Sequence, residues 1–197
     1  MSSKKDILLV GVGGQGTILA SRIIAYAARA ENLEVKISEV HGMAQRGGSV
    51  VTHLRMGEKI YSPLIQPGQA NIILSFERLE AWRWIDYLNK DGTVITNTQA
   101  ISPLPVISGG KEYPSNILEK INQHTSNLFS VDALEIAKKS GNERTANVAM
   151  LGVLANNLEI EKSNWVEALE NILPGKVIEP NKKAFVLGYS YMSGENL

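Results

Sequence analysis

The segment Gly11-Val12-Gly13-Gly14-Gln15-Gly16 restricts the folding of this chain more than any other. Before it, Ile7-Leu8-Leu9-Val10 is a short continuous apolar run, the pattern of a strand buried on both faces. After it, residues 17–30 bring Ile18, Leu19, Ile23 and Tyr26 to one helical face, and their alanines favour a helix. Residues 33–40 alternate as a second strand. Strand, glycine loop, helix and strand in this order predict a right-handed βαβ unit, hence an α/β fold with a Rossmann-like sheet core.

Farther along, residues 50–55 and 59–61 flank Met56-Gly57-Glu58, which predicts a β-hairpin excursion. Residues 71–76 repeat the buried-strand pattern. A helix follows over 77–88, ended by a turn at Asn89-Lys90-Asp91-Gly92, and 93–97 form the next strand. Residues 102–114 carry three prolines and Gly109-Gly110, which predicts an excursion or short hairpin. Pro114 can open a helix to about His124. A strand at 127–131 precedes Asp132 and Glu135, spaced as a capping box. From Thr145 the pattern is helical, over 145–157, 163–172 and 181–191. With 197 residues and no long linker or repeat, the expectation is a single domain with a helical C-terminal cap.

Twenty Lys+Arg balance twenty Asp+Glu, so the cation surplus that nucleic-acid binding requires is missing. No apolar run approaches the ~20 residues of a membrane span. The chain has no cysteine, which excludes disulfides, thiolate-held clusters and a cysteine nucleophile, and suits a reducing cytoplasm. Together these predict a cytoplasmic chain with neither nucleic acid nor membrane as partner. His41, His53 and His124 lack metal-ligand spacing, and no G-x-S-x-G elbow occurs. No set of residues completes a reaction, and none is assigned as catalytic or as a metal ligand.

Two loops stand out as binding candidates. The first is the G-x-G-x-x-G loop, whose amides and following helix N-terminus favour an anion by ~0.3–1 kcal/mol. The alternative is that its glycines only let the helix pass close to the sheet. Glu39, about 20 residues on, is formally placed to bind a dinucleotide ribose, but the bulk of Gln15 within the turn opposes that reading. The second loop is His41-Gly42-Met43-Ala44-Gln45-Arg46-Gly47-Gly48-Ser49. Arg46 can grip a phosphate or carboxylate bidentately, and Gly47-Gly48 leaves amides open as an anion nest. Its alternative is a solvated turn.

The blocks GVGGQG at 11–16, EVHGMAQRGGSVVTHLRMG at 39–57 and TANVAMLGVLA at 145–155 resemble the gamma-type domain of the 2-oxoacid:ferredoxin oxidoreductases. The likeness spans nearly the whole chain, including Asn181-Lys182-Lys183-Ala184-Phe185 and Gly188-Tyr189. Pyruvate- and 2-oxoglutarate-type members carry a tyrosine-glycine and an acidic residue ahead of Arg-Gly-Gly. Here His41-Gly42-Met43-Ala44-Gln45 stands in that place, which resembles the indolepyruvate class.

The resemblance implies one gamma-type domain over 1–197 and a non-autonomous subunit of a heteromeric enzyme. That enzyme converts indolepyruvate and other arylpyruvates to aryl-acetyl-CoA, with ferredoxin as electron acceptor. It also implies that thiamine diphosphate and the [4Fe-4S] clusters sit on a large (alpha) partner subunit. This chain lacks cysteine, and its Asp91-Gly92 lacks the glycine that precedes the family's diphosphate motif. Its own implied part is to close the active site and help receive coenzyme A. Gly13, Gly14, Gln15, Gly16 and Thr17 would offer amides and a hydroxyl; Gln45, Arg46, Gly47, Gly48 and Ser49 would add further donors. Asn147, at the start of a helix, is a weaker candidate. Rival readings are a purely structural subunit, a gamma subunit for pyruvate or another 2-oxoacid, and a free-standing Rossmann NAD(P)-binding dehydrogenase.

Overall fold

The computed structural model describes residues 4–41 and 47–191. In chain order β1 (Lys5–Val12), β2 (Glu34–His41), β3 (Ser49–Gly57), β4 (Ala70–Ser75), β5 (Leu88–Asn97) and β6 (Leu128–Val131) form one sheet, ordered β2-β3-β1-β4-β5-β6. β1, β4, β5 and β6 pair in parallel, while β3 runs antiparallel to both β1 and β2.

Both elements of the expected βαβ unit form, but the strands do not pair. β3 is inserted between β1 and β2, full length against each. The reason is the short connection at 42–48. A parallel crossover needs a dozen or more residues, so a strand following so short a loop must return antiparallel to the one before it. The hairpin expected around Met56-Gly57-Glu58 is likewise corrected. β3 runs unbroken to Gly57, and 59–61 form no strand. Instead Ile60 is buried and donates its amide to Glu34 Oε2 at 2.8 Å, at the start of β2. The turn expected at 89–92 lies within β5 as an irregularity that shifts its register against β4.

Alternation along β1 separates two cores. Ile7 and Leu9 face a layer built by α1 (Thr17–Ala30), α5 (Ala133–Ser140), α6 (Ala146–Ala155), α7 (Lys162–Ile172) and α8 (Gly175–Tyr191). Leu8 and Val10 face a thinner layer that includes α2 (Arg78–Arg83) and α4 (Ile117–His124). Where an excursion or short hairpin is expected, residues 102–114 form no strand; the excursion carries only a short α3 (Leu104–Ile107) that buries nothing. α6 is apolar on every side because the sheet layer and α8 enclose it. At their crossing a Cβ on Gly188 would collide with the Ala149 carbonyl, so only glycine permits this approach. α8 begins at Gly175, earlier than expected, and carries Pro180 inside it. Asn181 Nδ2 donates to the Val177 carbonyl at 2.7 Å, adding a side-chain bond beside the missing proline amide. Among the described residues no helix is long and apolar enough to cross a membrane.

Candidate functional site

At the carboxyl edge of the parallel strands the glycine loop leaves β1 and turns into α1. Gly16 caps the helix with φ 82°, a left-handed conformation that only glycine adopts without strain. It offers no side-chain cap, so the first-turn amides of α1 remain open. α6 starts at the same space, following directly on a turn at 143–145, and Asn147 Oδ1 accepts its Val148 amide at 3.0 Å. That space is a cavity of about 400 Å³ lined by Gly14, Gln15, Gly16, Phe76, Asn97, Gln99, Glu143, Arg144, Ala146 and Asn147. Open α/β sheets hold ligands at this edge.

The two loops singled out in the sequence meet. Gly13 donates its amide to the Gly48 carbonyl at 2.9 Å, and Gly47 donates to the Gly13 carbonyl at 3.5 Å. Those amides are therefore committed to each other. Gln15 is committed too, since its Oε1 accepts from Val12 N at 2.8 Å. Its Nε2 donates to the Phe76 carbonyl at 2.9 Å and to Gln99 Oε1 at 3.2 Å. Its bulk within the turn is thus a clamp between the β1 and β4 ends rather than a ligand donor. Ser49, expected to face a ligand, donates its hydroxyl to Glu80 Oε2 instead. Gly14, Gly16 and Asn147 line the cavity, with Asn147 packed directly over Gly16, whereas Thr17 is buried and is not among the lining residues. Gln45 and Arg46 lie outside the described residues.

Sequence reasoning missed Arg144. It is exposed, lines the cavity, and its guanidinium has no carboxylate partner among the described residues. Glu143 beside it lines the same cavity. The available signal was its place just before a helix that starts at the sheet edge. Asn97 and Gln99, also missed, carry the signal of any residue at the end of a parallel strand.

A second missed group lies on the other side of the edge. Glu77 is 1% exposed and Glu80 2%. Glu80 receives Ser49 and, at 2.6 Å, Arg83 Nη1. Burial pushes its carboxyl up, and Ser49 and Arg83 pull it partly back. Glu77 caps α2 by accepting from the Glu80 amide at 3.0 Å. Its other oxygen takes the Ile101 amide at 3.1 Å and the Tyr113 hydroxyl at 2.5 Å. Burial, then the bond to Glu77, raises Tyr113 to about 12.

Glu39 does not reach the glycine loop. It pairs in register with Thr52 of β3, two strand spacings, or about 10 Å, from β1. A Rossmann dinucleotide site needs its acidic residue on the strand next to the loop, so this geometry does not build one. A larger groove of about 630 Å³, lined by Arg22, Tyr26, Arg29 and Glu167, runs beside the C-terminal half of α1, away from the edge that holds the loops.

Residues 6–191 match the pyruvate ferredoxin/flavodoxin oxidoreductase family. The chain is similar to the indolepyruvate oxidoreductase subunit IorB of Archaeoglobus fulgidus, 39% identical over 189 residues, covering 94% of each chain. It is also similar to IorB of Pyrococcus horikoshii, 38% identical over 190 residues, covering 93% of each. Among solved structures it resembles a 2-oxoglutarate:ferredoxin oxidoreductase from Magnetococcus marinus with a TM-score of 0.75 at 20% identity, matching 100% of this chain and 32% of that one.

Proposed function

Since the chain belongs to the pyruvate ferredoxin/flavodoxin oxidoreductase family, we infer that it is the small, non-autonomous subunit of an indolepyruvate ferredoxin oxidoreductase. Its similarity to IorB over more than nine-tenths of both chains supports this reading. A large partner subunit carries thiamine diphosphate and the iron–sulfur clusters, decarboxylates the arylpyruvate and passes electrons to ferredoxin. Coenzyme A supplies the thiol that takes the aryl-acetyl group.

This chain contributes the edge where coenzyme A's phosphates are received. The observation that carries this part is the open N-terminus of α1, which faces the cavity bearing the start of α6 and Arg144. Open amides of Gly14, Gly16 and the first turn of α1 point donors at an anion, and Arg144 adds a formal positive charge. The protein's share is thus binding and orientation, while the cofactors carry the chemistry.

Anaerobic affinity capture of the tagged chain from its own cells tests the reading. The expected eluate holds a larger iron-bearing subunit and reduces dye with indolepyruvate, in a reaction that needs coenzyme A. Recovery of a lone chain that binds NAD(H) would overturn it.

A further inference from the structure

We propose that Glu80 is a positioning residue for coenzyme A capture, fixing through Ser49 the backbone that holds the glycine loop in place. The inference rests on the reading that this edge receives coenzyme A.

The path is short and continuous. Glu80 Oε2 accepts from the Ser49 hydroxyl. Ser49 opens β3 and lies opposite Val12, the last residue of β1. Its neighbour Gly48 accepts the Gly13 amide at 2.9 Å, and Gly13 begins the turn whose Gly14 and Gly16 line the cavity. Behind Glu80, Glu77 binds the Glu80 amide, the Ile101 amide and the Tyr113 hydroxyl. The brace therefore joins the start of β3, the start of α2 and the segment after β5, all at the same edge.

The placement of these acids is informative. Two carboxyl groups at 1% and 2% exposure are weak contributors to stability, because desolvation offsets much of what their partners return. Apolar side chains would fill the same space without that penalty. Yet Glu80 holds Ser49, opposite the end of β1, and Glu77 holds the Ile101 amide, two residues after the cavity-lining Gln99. A buried network satisfied at every member holds its parts in one geometry, and the geometry held here is that of the loop.

The test uses the assembled complex of this chain with its large subunit, assayed for dye reduction over a coenzyme A series. Glu80→Gln and Ser49→Ala each raise the KM for coenzyme A about tenfold, the scale of one hydrogen bond to a charged group. kcat at saturating coenzyme A changes far less. The double variant is no worse than Ser49→Ala alone, because Glu80→Gln, whose amide oxygen still accepts, only weakens the bond that Ser49→Ala removes. Ser49→Thr, which keeps the hydroxyl, restores the KM.

Gly16→Ala, which acts on the cavity itself, separates two kinds of failure. If it raises the KM while Glu80→Gln and Ser49→Ala do not, Glu80 is merely structural and the inference falls, with the coenzyme A reading intact. If all three leave the KM unchanged, the coenzyme A reading falls and the inference with it. Should Glu80→Gln fail to assemble, Ser49→Ala decides alone, and an unchanged KM overturns the proposal.

Discussion

The amide of Gly13 donates to the carbonyl of Gly48 at 2.9 Å, joining the two loops 35 residues apart in the chain into one backbone frame. The bond has a price in donors. With Gly13 and Gly47 bonded to each other's neighbourhood and Gln15 clamped across β4, the described residues leave an anion Gly14, Gly16, the first turn of α1 and Arg144. The expected results below follow from that reduced set and from the buried groups around it.

Gly16→Ala places a Cβ 2.5 Å from Asn147 Nδ2 and forces a left-handed φ on alanine. The backbone term alone is about 1–2 kcal/mol. A tenfold or greater loss in coenzyme A affinity is expected, with a lower thermal midpoint by circular dichroism. An unchanged KM would remove the glycine loop from the binding site.

Arg144→Ala removes the exposed cation of the cavity and leaves the core untouched. The KM for coenzyme A rises severalfold at low ionic strength, and the difference from wild type narrows in high salt, since exposed charges are screened. A difference independent of salt would argue against an electrostatic role.

Tyr113 ionises at about 12, well above an ordinary phenol, because burial and the Glu77 bond favour its neutral form. Its folded pKa is raised, so stability is complete below about 10 and falls as pH rises toward 12. In an absorbance titration, the Tyr113 step that lies near pH 12 in the folded chain should move down when the chain is unfolded in urea. Tyr113→Phe removes that step near pH 12; its persistence in the variant would refute the assignment.

His53 is buried, and desolvation holds its imidazole below the usual range; its Nδ1 accepts the Ile65 amide at 3.2 Å. The neutral ring is the folded form. Stability from this group is therefore full above the ordinary imidazole value of about 6.5 and is lost as pH falls below it. Urea unfolding at pH 7 and pH 5.5 measures the slope, which His53→Gln should flatten. An equal slope in both proteins would show that His53 is not the titrating group.

Gly188→Ala drives a Cβ into the Ala149 carbonyl at the α6–α8 crossing. Backbone cannot yield as a side-chain tip does, so the expected destabilisation is about 3 kcal/mol or more. A chain with an unaltered melting temperature would mean that the helices can separate freely there.

Much of this was written locally. The apolar run at residues 7–10, the glycine turn and the Ile18-to-Tyr26 face are short-range patterns; α1 keeps the expected bounds, and β1 extends the run to Lys5–Val12. Asp132 caps α5 through Glu135 N at 2.9 Å, as its spacing predicts. The position of β3 was half legible, because the short connection at 42–48 dictates an antiparallel return but not where that strand inserts.

The site divides the same way. Sequence alone determined that two glycine-bearing loops would lie at one sheet edge, since strand direction and turn chemistry depend on neighbours along the chain. Which donors stay open was decided by partners far away in sequence. Gln15 is taken by Phe76, Ser49 by Glu80, and Gly13 by Gly48. Hydrogen-bond satisfaction is a property of atoms brought together by packing, and only the tertiary structure sets those pairings.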